Sequence, residues 1–376
     1  MKKSILMIGA SEHDADMLYV SGIFVPDPFI AVKIGSVWHG LFSPLEVDRA
    51  HKQSRLDETH LETPWGERAQ ASGWGKGLAA TAAAFLKAHN VSDILVPAHF
   101  PLRHAEQLSG WGFHVKAAEE GLFSERVTKS KTEIRHLAQA ERLTKRAMQR
   151  AEAFLAESSI GSDDILLHPE VAGKVKSKHL RSVIETYLIQ HGAMPAHTIV
   201  ACGRESSDPH HIGHGYLRAG QPIIIDIFPR VLATGYWGDM TRTYLKGKAP
   251  ERVKKLYSTV KEGQKIGLGM VSDGVSGDAI HRAITTHFDR QGFKTGLLRG
   301  RQSGFFHGTG HGVGLEIHEA PRVSTGSGTL KAGHVITIEP GLYYPGMGGV
   351  RLEDMVVVQP DGHTNLTRHP CRLEIP

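Results

Sequence analysis

The chain has 376 residues, 40% of them hydrophobic and 22% charged, with a formal net charge of +5 at pH 7. That length suits two domains, each burying a core of its own, and no stretch approaches the roughly eighteen consecutive apolar residues that a membrane span needs. The cations are interleaved with acids, which argues against a nucleic-acid partner: in the basic run 129–150 the acids Glu133 and Glu141, with Glu152 just beyond, break up the charge, and the run reads as a solvated helix face.

From the amino terminus, Ile5-Leu6-Met7-Ile8-Gly9-Ala10 reads as a first buried strand, its apolar stretch being too short for a signal peptide. Apolar runs at 29–34 and 37–42 around Gly35-Ser36 predict a hairpin with a two-residue turn. A helix follows over 77–88, anchored by Leu78, Phe85 and Leu86, and then a strand at 93–96. Residues 1–127 are therefore expected to form an α/β domain without catalytic residues, its histidines and tryptophans serving packing or surface roles.

Ser130 and Glu133 have the spacing of a capping box, and Ile134, Leu137, Ala140, Ala147, Ala151 and Phe154 recur at helical spacing. A long amphipathic helix is expected to open a second domain, 128–376. Cys202 and Cys371 provide no disulfide framework, which suits a reducing cytoplasm.

The second domain sets acidic residues at the ends of apolar runs. Ile223-Ile224-Ile225 leads into Asp226, Val335-Ile336-Thr337-Ile338 into Glu339-Pro340-Gly341, and Glu353 stands between Val350 and Met355-Val356-Val357-Val358. Asp239 opens the strand-like run 240–245, and His311 lies in the glycine-rich run 307–314. A carboxylate in such a place costs several kcal/mol to desolvate unless a positive partner is present, and Arg351 neutralises only one of them. Two divalent cations would balance four carboxylates and one neutral imidazole, and this oxygen-rich set suits manganese or cobalt better than a thiolate-type zinc site. The run 308–314 misses the dinucleotide fingerprint, and no serine occupies a nucleophile elbow.

Four strings together resemble the pita-bread metallopeptidases, in the branch of prolidase, Xaa-Pro aminopeptidase and the metal-free creatinase. They are Gly235-Tyr236-Trp237-Gly238-Asp239-Met240-Thr241-Arg242-Thr243, the segment from His307 through His318-Glu319, Thr337-Ile338-Glu339-Pro340-Gly341-Leu342-Tyr343, and Gly349-Val350-Arg351-Leu352-Glu353-Asp354. The resemblance implies an α+β pita-bread catalytic domain preceded by a smaller α/β domain. It implies two divalent metals, manganese with cobalt or zinc as alternatives, held by Asp226, Asp239, His311, Glu339 and Glu353, with Asp239 and Glu353 bridging. It further implies Glu339 as general base, His307, His318 and His210 assisting catalysis, and Arg322 and Arg351 binding substrate. The expected reaction is hydrolysis of the peptide bond preceding proline in small peptides, by a cytoplasmic homodimer. The segment 226–232 departs from the family pattern in the turn after its first aspartate. Creatinase-like amidinohydrolase chemistry and a non-catalytic binding module are the alternatives; both are expected to lack ligands that this chain retains. A methionine aminopeptidase fits less well, given the large first domain.

Overall fold

The computed structural model describes residues 4–119, 121–298 and 300–376. The chain divides into two compact units, Met1–Ser124 and Glu125–Pro376.

The first unit is built on a six-stranded sheet. Its strands are β1 (Ser4–Gly9), β2 (Phe29–Ile34), β3 (Val37–Phe42), β4 (Glu58–Leu61), β5 (Asp93–Val96) and β6 (His114–Ala117), in the order β4-β3-β2-β1-β5-β6. The β2–β3 hairpin turns at Gly35-Ser36, as its turn chemistry predicts, with Ile34 facing Val37. Helix α1 (Leu78–Ala88) is Ala-rich because it lies flat on the sheet, where Ala82, Ala83, Phe85 and Leu86 join Ile30, Val32 and Leu41 in one core.

The second unit opens with α2 (Lys131–Glu157). Its start is fixed by a complete capping box, in which Glu133 N–H donates to Ser130 Oγ and Ser130 N–H donates to Glu133 Oε2. Leu137, Ala140, Thr144, Ala147, Met148, Ala151 and Phe154 form its buried stripe. The strands β7 (Ile199–Cys202), β8 (Ile223–Ile227) and β9 (Met240–Lys246) run antiparallel. The strands β10 (Gly310–Gly312), β11 (Glu319–Val323), β12 (Val335–Ile338), β13 (Gly341–Tyr344), β14 (Gly348–Arg351), β15 (Asp354–Gln359) and β16 (Gly362–Asn365) follow. They form a five-stranded sheet in the order β11-β10-β12-β15-β16 and the β13–β14 hairpin. Two further helices, α3 (Glu251–Met270) and α4 (Gly277–Arg290), contribute Leu256, Val260, Ile280 and Ile284 to a core shared with Ile336, Ile338, Val350 and Val356. Among the described residues no helix is long and apolar enough to cross a membrane.

Candidate metal centre

The polar residues of the second unit meet because strand ends meet. Asp226 sits in β8 opposite Thr241 of β9, and Asp239 immediately precedes β9. Glu339 follows β12, whose Ile338 faces Asp354 of β15, and Glu353 occupies the step between β14 and β15. The Glu353 N–H donates to the Thr241 carbonyl at 3.1 Å, and Thr241 Oγ1 donates to Glu353 Oε2 at 2.7 Å, so two sheets are sewn together through these residues.

His311 reaches the site from β10. Its Nε2 lies 3.6 Å from Asp239 Oδ2 and 3.4 Å from Glu339 Oε1. The other ring nitrogen, Nδ1, is 3.2 Å from the Gly312 carbonyl; donation there leaves Nε2 as the basic atom facing the carboxylates. Burial, with the neighbouring His318, lowers the His311 pKa to about 3, so the ring is neutral and able to act as a ligand. The flanking glycine is sterically required: a Cβ on Gly310 would fall 1.9 Å from the Thr337 carbonyl oxygen.

Asp239, His311 and Glu353 form one group close enough to hold a single ion. Burial is the main reason the carboxyls of Asp239 and Glu353 are raised well above the usual range; mutual repulsion with Asp226 and Glu339 adds to it. Glu339 is raised to about 7, again first by burial, with Arg351 opposing the shift. Asp226 Oδ2 accepts from Arg351 Nη2 at 2.6 Å, whereas Asp226 Oδ1 is buried with no hydrogen-bond partner among the described residues. An orphaned carboxylate oxygen beside three acids held above their normal pKa is the arrangement expected of a cation site. The donor set of carboxylate oxygens and one imidazole fits divalent metal.

One cavity of about 680 Å³ collects the expected site residues. Asp226, Asp239, His311, Glu339 and Glu353 line it together with His210, His307, His318, Arg322 and Arg351. The His318 ring stands edge-on to His311, with centroids 4.3 Å apart. His307 is within 3.0 Å of the Tyr343 hydroxyl through Nε2 and 2.7 Å of the Gly308 carbonyl through Nδ1; burial, aided by Arg351, lowers its pKa to about 3. Arg322 is exposed at the cavity, while Arg351 is buried and its nitrogens donate to Asp226, Tyr343, Thr241 and the Pro209 carbonyl. The divergent turn after Asp226 places Phe228 in the wall, which it shares with Ile199, Phe306 and Ile317.

Glu141 corrects the sequence reading. It does not lie on a solvated helix face: its relative exposure is 0%. Its Oε2 accepts the Asp239 N–H at 2.9 Å and its Oε1 accepts from Thr367 Oγ1 at 2.6 Å. The close approach depends on Gly238, where a Cβ would come within 2.3 Å of Thr144 Oγ1 on α2. A signal was available in the helical spacing, since Glu141 falls four residues after Leu137 and next to Ala140 on the apolar stripe. Arg242, to which the sequence reading gave no role, is a second buried support, donating to the Glu353 carbonyl and to Asp354 Oδ1, each at 2.7 Å.

Buried carboxylates and a neutral imidazole converging from strand ends define a divalent-metal protein. Residues 135–360 match metallopeptidase family M24, and the chain belongs to that family. Its relatives include the Xaa-Pro dipeptidase of Pyrococcus furiosus, 35% identical over 251 residues that make up 65% of this chain and 64% of that protein. An uncharacterized peptidase of Bacillus subtilis, YqhT, is 30% identical over 254 residues, 66% of this chain and 65% of that protein. The chain thus matches just under two thirds of the length of these relatives. Among solved structures, the X-Pro aminopeptidase of Thermotoga maritima superposes with a TM-score of 0.83 at 21% identity, covering 100% of this chain and 97% of that one. The fold of the second unit is the pita-bread fold of that family.

Proposed function

We propose that the chain is a dinuclear-metal peptidase that hydrolyses the bond preceding proline in small peptides. The observation that supports this most is the convergence of four carboxylates and one neutral imidazole on one cavity, with Asp226 Oδ1 left without a hydrogen-bond partner among the described residues. The printed activities of the relatives, Xaa-Pro dipeptidase and X-Pro aminopeptidase, point the same way.

Two divalent cations, manganese in our reading with cobalt or zinc as substitutes, would be held by Asp226, Asp239, His311, Glu339 and Glu353; once bound they supply Lewis-acid charge and a water of lowered pKa. Glu339 is the general base that takes a proton from the attacking water. His318, His307 and His210 line the substrate side of the cavity and assist collapse of the tetrahedral species, where the proline nitrogen must gain a proton to leave. The apolar wall of Ile199, Phe228, Phe306 and Ile317 suits a pyrrolidine ring, which buries carbon without requiring a donor. Arg322 offers its planar fork to the free carboxylate of a dipeptide. Arg351, whose donors are committed within the protein, acts on the substrate through its charge. A cytoplasmic homodimer remains part of this reading.

A panel of Xaa-Pro dipeptides, Xaa-Pro tripeptides and proline-free controls, assayed with manganese, cobalt and zinc, tests the assignment. Cleavage confined to Xaa-Pro substrates is expected. Efficient cleavage of the proline-free controls would remove the specificity, and creatine turnover in the presence of chelator would replace the reaction.

A further inference from the structure

The first unit contains a second cluster of metal-binding side chains, far in sequence from the centre described above. Strands β3 and β4 run parallel, with His39 opposite Glu58 and Leu41 opposite His60. Because side chains alternate along a strand, His39, Glu58 and His60 fall on the same face of the sheet. Their facing atoms form a nearly regular triangle. His39 Nδ1 is 3.2 Å from His60 Nε2 and 3.2 Å from Glu58 Oε2, and His60 Nε2 is 3.5 Å from the same Glu58 oxygen.

With both ring nitrogens protonated, the two N–H groups can share the one Glu58 oxygen as acceptor. With both deprotonated, the same three atoms present lone pairs towards one point, and all lie close enough together to hold one ion. The spacing suits this: ligands at 2.0–2.1 Å from a tetrahedral ion lie about 3.3 Å from one another.

The surroundings also suit a built site. The Phe85 ring, on α1, lies 5.3 Å from the His39 ring and 5.2 Å from the His60 ring, so the imidazoles are held against an apolar wall. The His39 side chain is 8% exposed, that of His60 26% and that of Glu58 55%, so the cluster opens towards Glu58 and leaves a fourth position accessible to water.

We propose that His39, Glu58 and His60 bind a borderline first-row divalent ion, of which zinc is the type, that clips the edge strand β4 to β3. Two imidazoles and one carboxylate favour zinc, cobalt, nickel or copper over calcium or magnesium. The site is separate from the centre in the second unit and does not depend on the function proposed for it.

Zinc titration of the full-length, metal-stripped protein against a chromophoric chelator tests the proposal, with cobalt absorption as a second readout. The His60→Ala and Glu58→Gln variants are each expected to bind one equivalent fewer than the parent and to lose the corresponding cobalt signal. Zinc is also expected to raise the thermal midpoint of the Asp239→Asn/Glu353→Gln double variant, in which the other centre is disabled, and not to do so once His60→Ala is added. Should the double variant fail to fold, the comparison of Glu58→Gln, changed at its half-exposed carboxylate, with the parent decides alone. Equal stoichiometry and affinity in the parent and in both single variants would overturn the proposal.

Discussion

The backbone N–H of Asp239 donates to the carboxylate of Glu141 at 2.9 Å, joining the acid at the head of β9 to a helix nearly a hundred residues earlier. Glu141 is held fully buried by that bond and by the Thr367 hydroxyl, and burial raises its carboxyl pKa to about 7. It thereby fixes where Asp239 points. Replacing Glu141 by Ala leaves the Asp239 N–H and the Thr367 O–H without an acceptor, at about 1–3 kcal/mol for each buried donor. Glu141→Gln keeps an acceptor for Asp239 and is expected to recover most of that loss. Chemical denaturation of both variants, together with manganese affinity, checks this; equal loss in the two would show that the carboxylate charge matters more than the hydrogen bond.

The metal-free protein is expected to lose stability as pH rises above about 6.5. Asp239 and Glu353 have raised folded-state pKa values, and Glu339 and Glu141 are raised to about 7. The folded state therefore keeps protons that the unfolded chain has already released. Their contribution is fully present below the unfolded carboxylate range and is lost as pH rises through the folded values. His307 and His311, lowered to about 3, give the opposite slope, but only below their unfolded value of 6.5. The window above pH 6.5 thus isolates the acids. Thermal midpoints from pH 6.5 to 8.5 should fall without metal and flatten when manganese is added. A flat profile without metal would contradict the reading.

Arg351 is the cation through which the protein balances the centre before metal binds. Its loss in Arg351→Met leaves Asp226 buried without its 2.6 Å partner. Breaking a buried pair from one side typically costs about 3–5 kcal/mol. Because bound metal would repay part of that deficit, manganese should raise the melting temperature of Arg351→Met by more than it raises that of the parent. Equal shifts would argue that Arg351 and the metals do not share Asp226.

Gly310→Ala should shift β10 and with it His311, since the added carbon would lie 1.9 Å from the Thr337 carbonyl oxygen. Overpacking of this kind costs about 1–3 kcal/mol or more. The expected result is weakened metal binding measured by calorimetry, and native affinity in Gly310→Ala would contradict the steric assignment.

Much of this was legible in the sequence where local chemistry decides the outcome. The Gly35-Ser36 turn set the β2–β3 hairpin, Ser130 with Glu133 set the start of α2, and carboxylates at the ends of apolar runs marked the centre. Glu141 was not legible in the same way. Its run is dominated by cations, and its burial comes from Thr367 and Asp239, distant in sequence and brought near only by the fold. Strand β4 is likewise hidden, because Glu58-Thr59-His60-Leu61 lacks the apolar alternation of a half-buried strand. Single histidines there read as surface residues, and only the pairing of β3 with β4 brings His39 and His60 together.

The most direct measurement is turnover of an Xaa-Pro dipeptide by metal-stripped protein titrated with manganese, alongside Glu339→Gln. Activity is expected to be absent without metal, to rise to a plateau at two equivalents bound to the second unit, and to fall by about 10²–10⁴-fold in Glu339→Gln at full loading. Turnover in the stripped protein, or undiminished turnover in Glu339→Gln, would contradict a metal-dependent peptidase with Glu339 as its base.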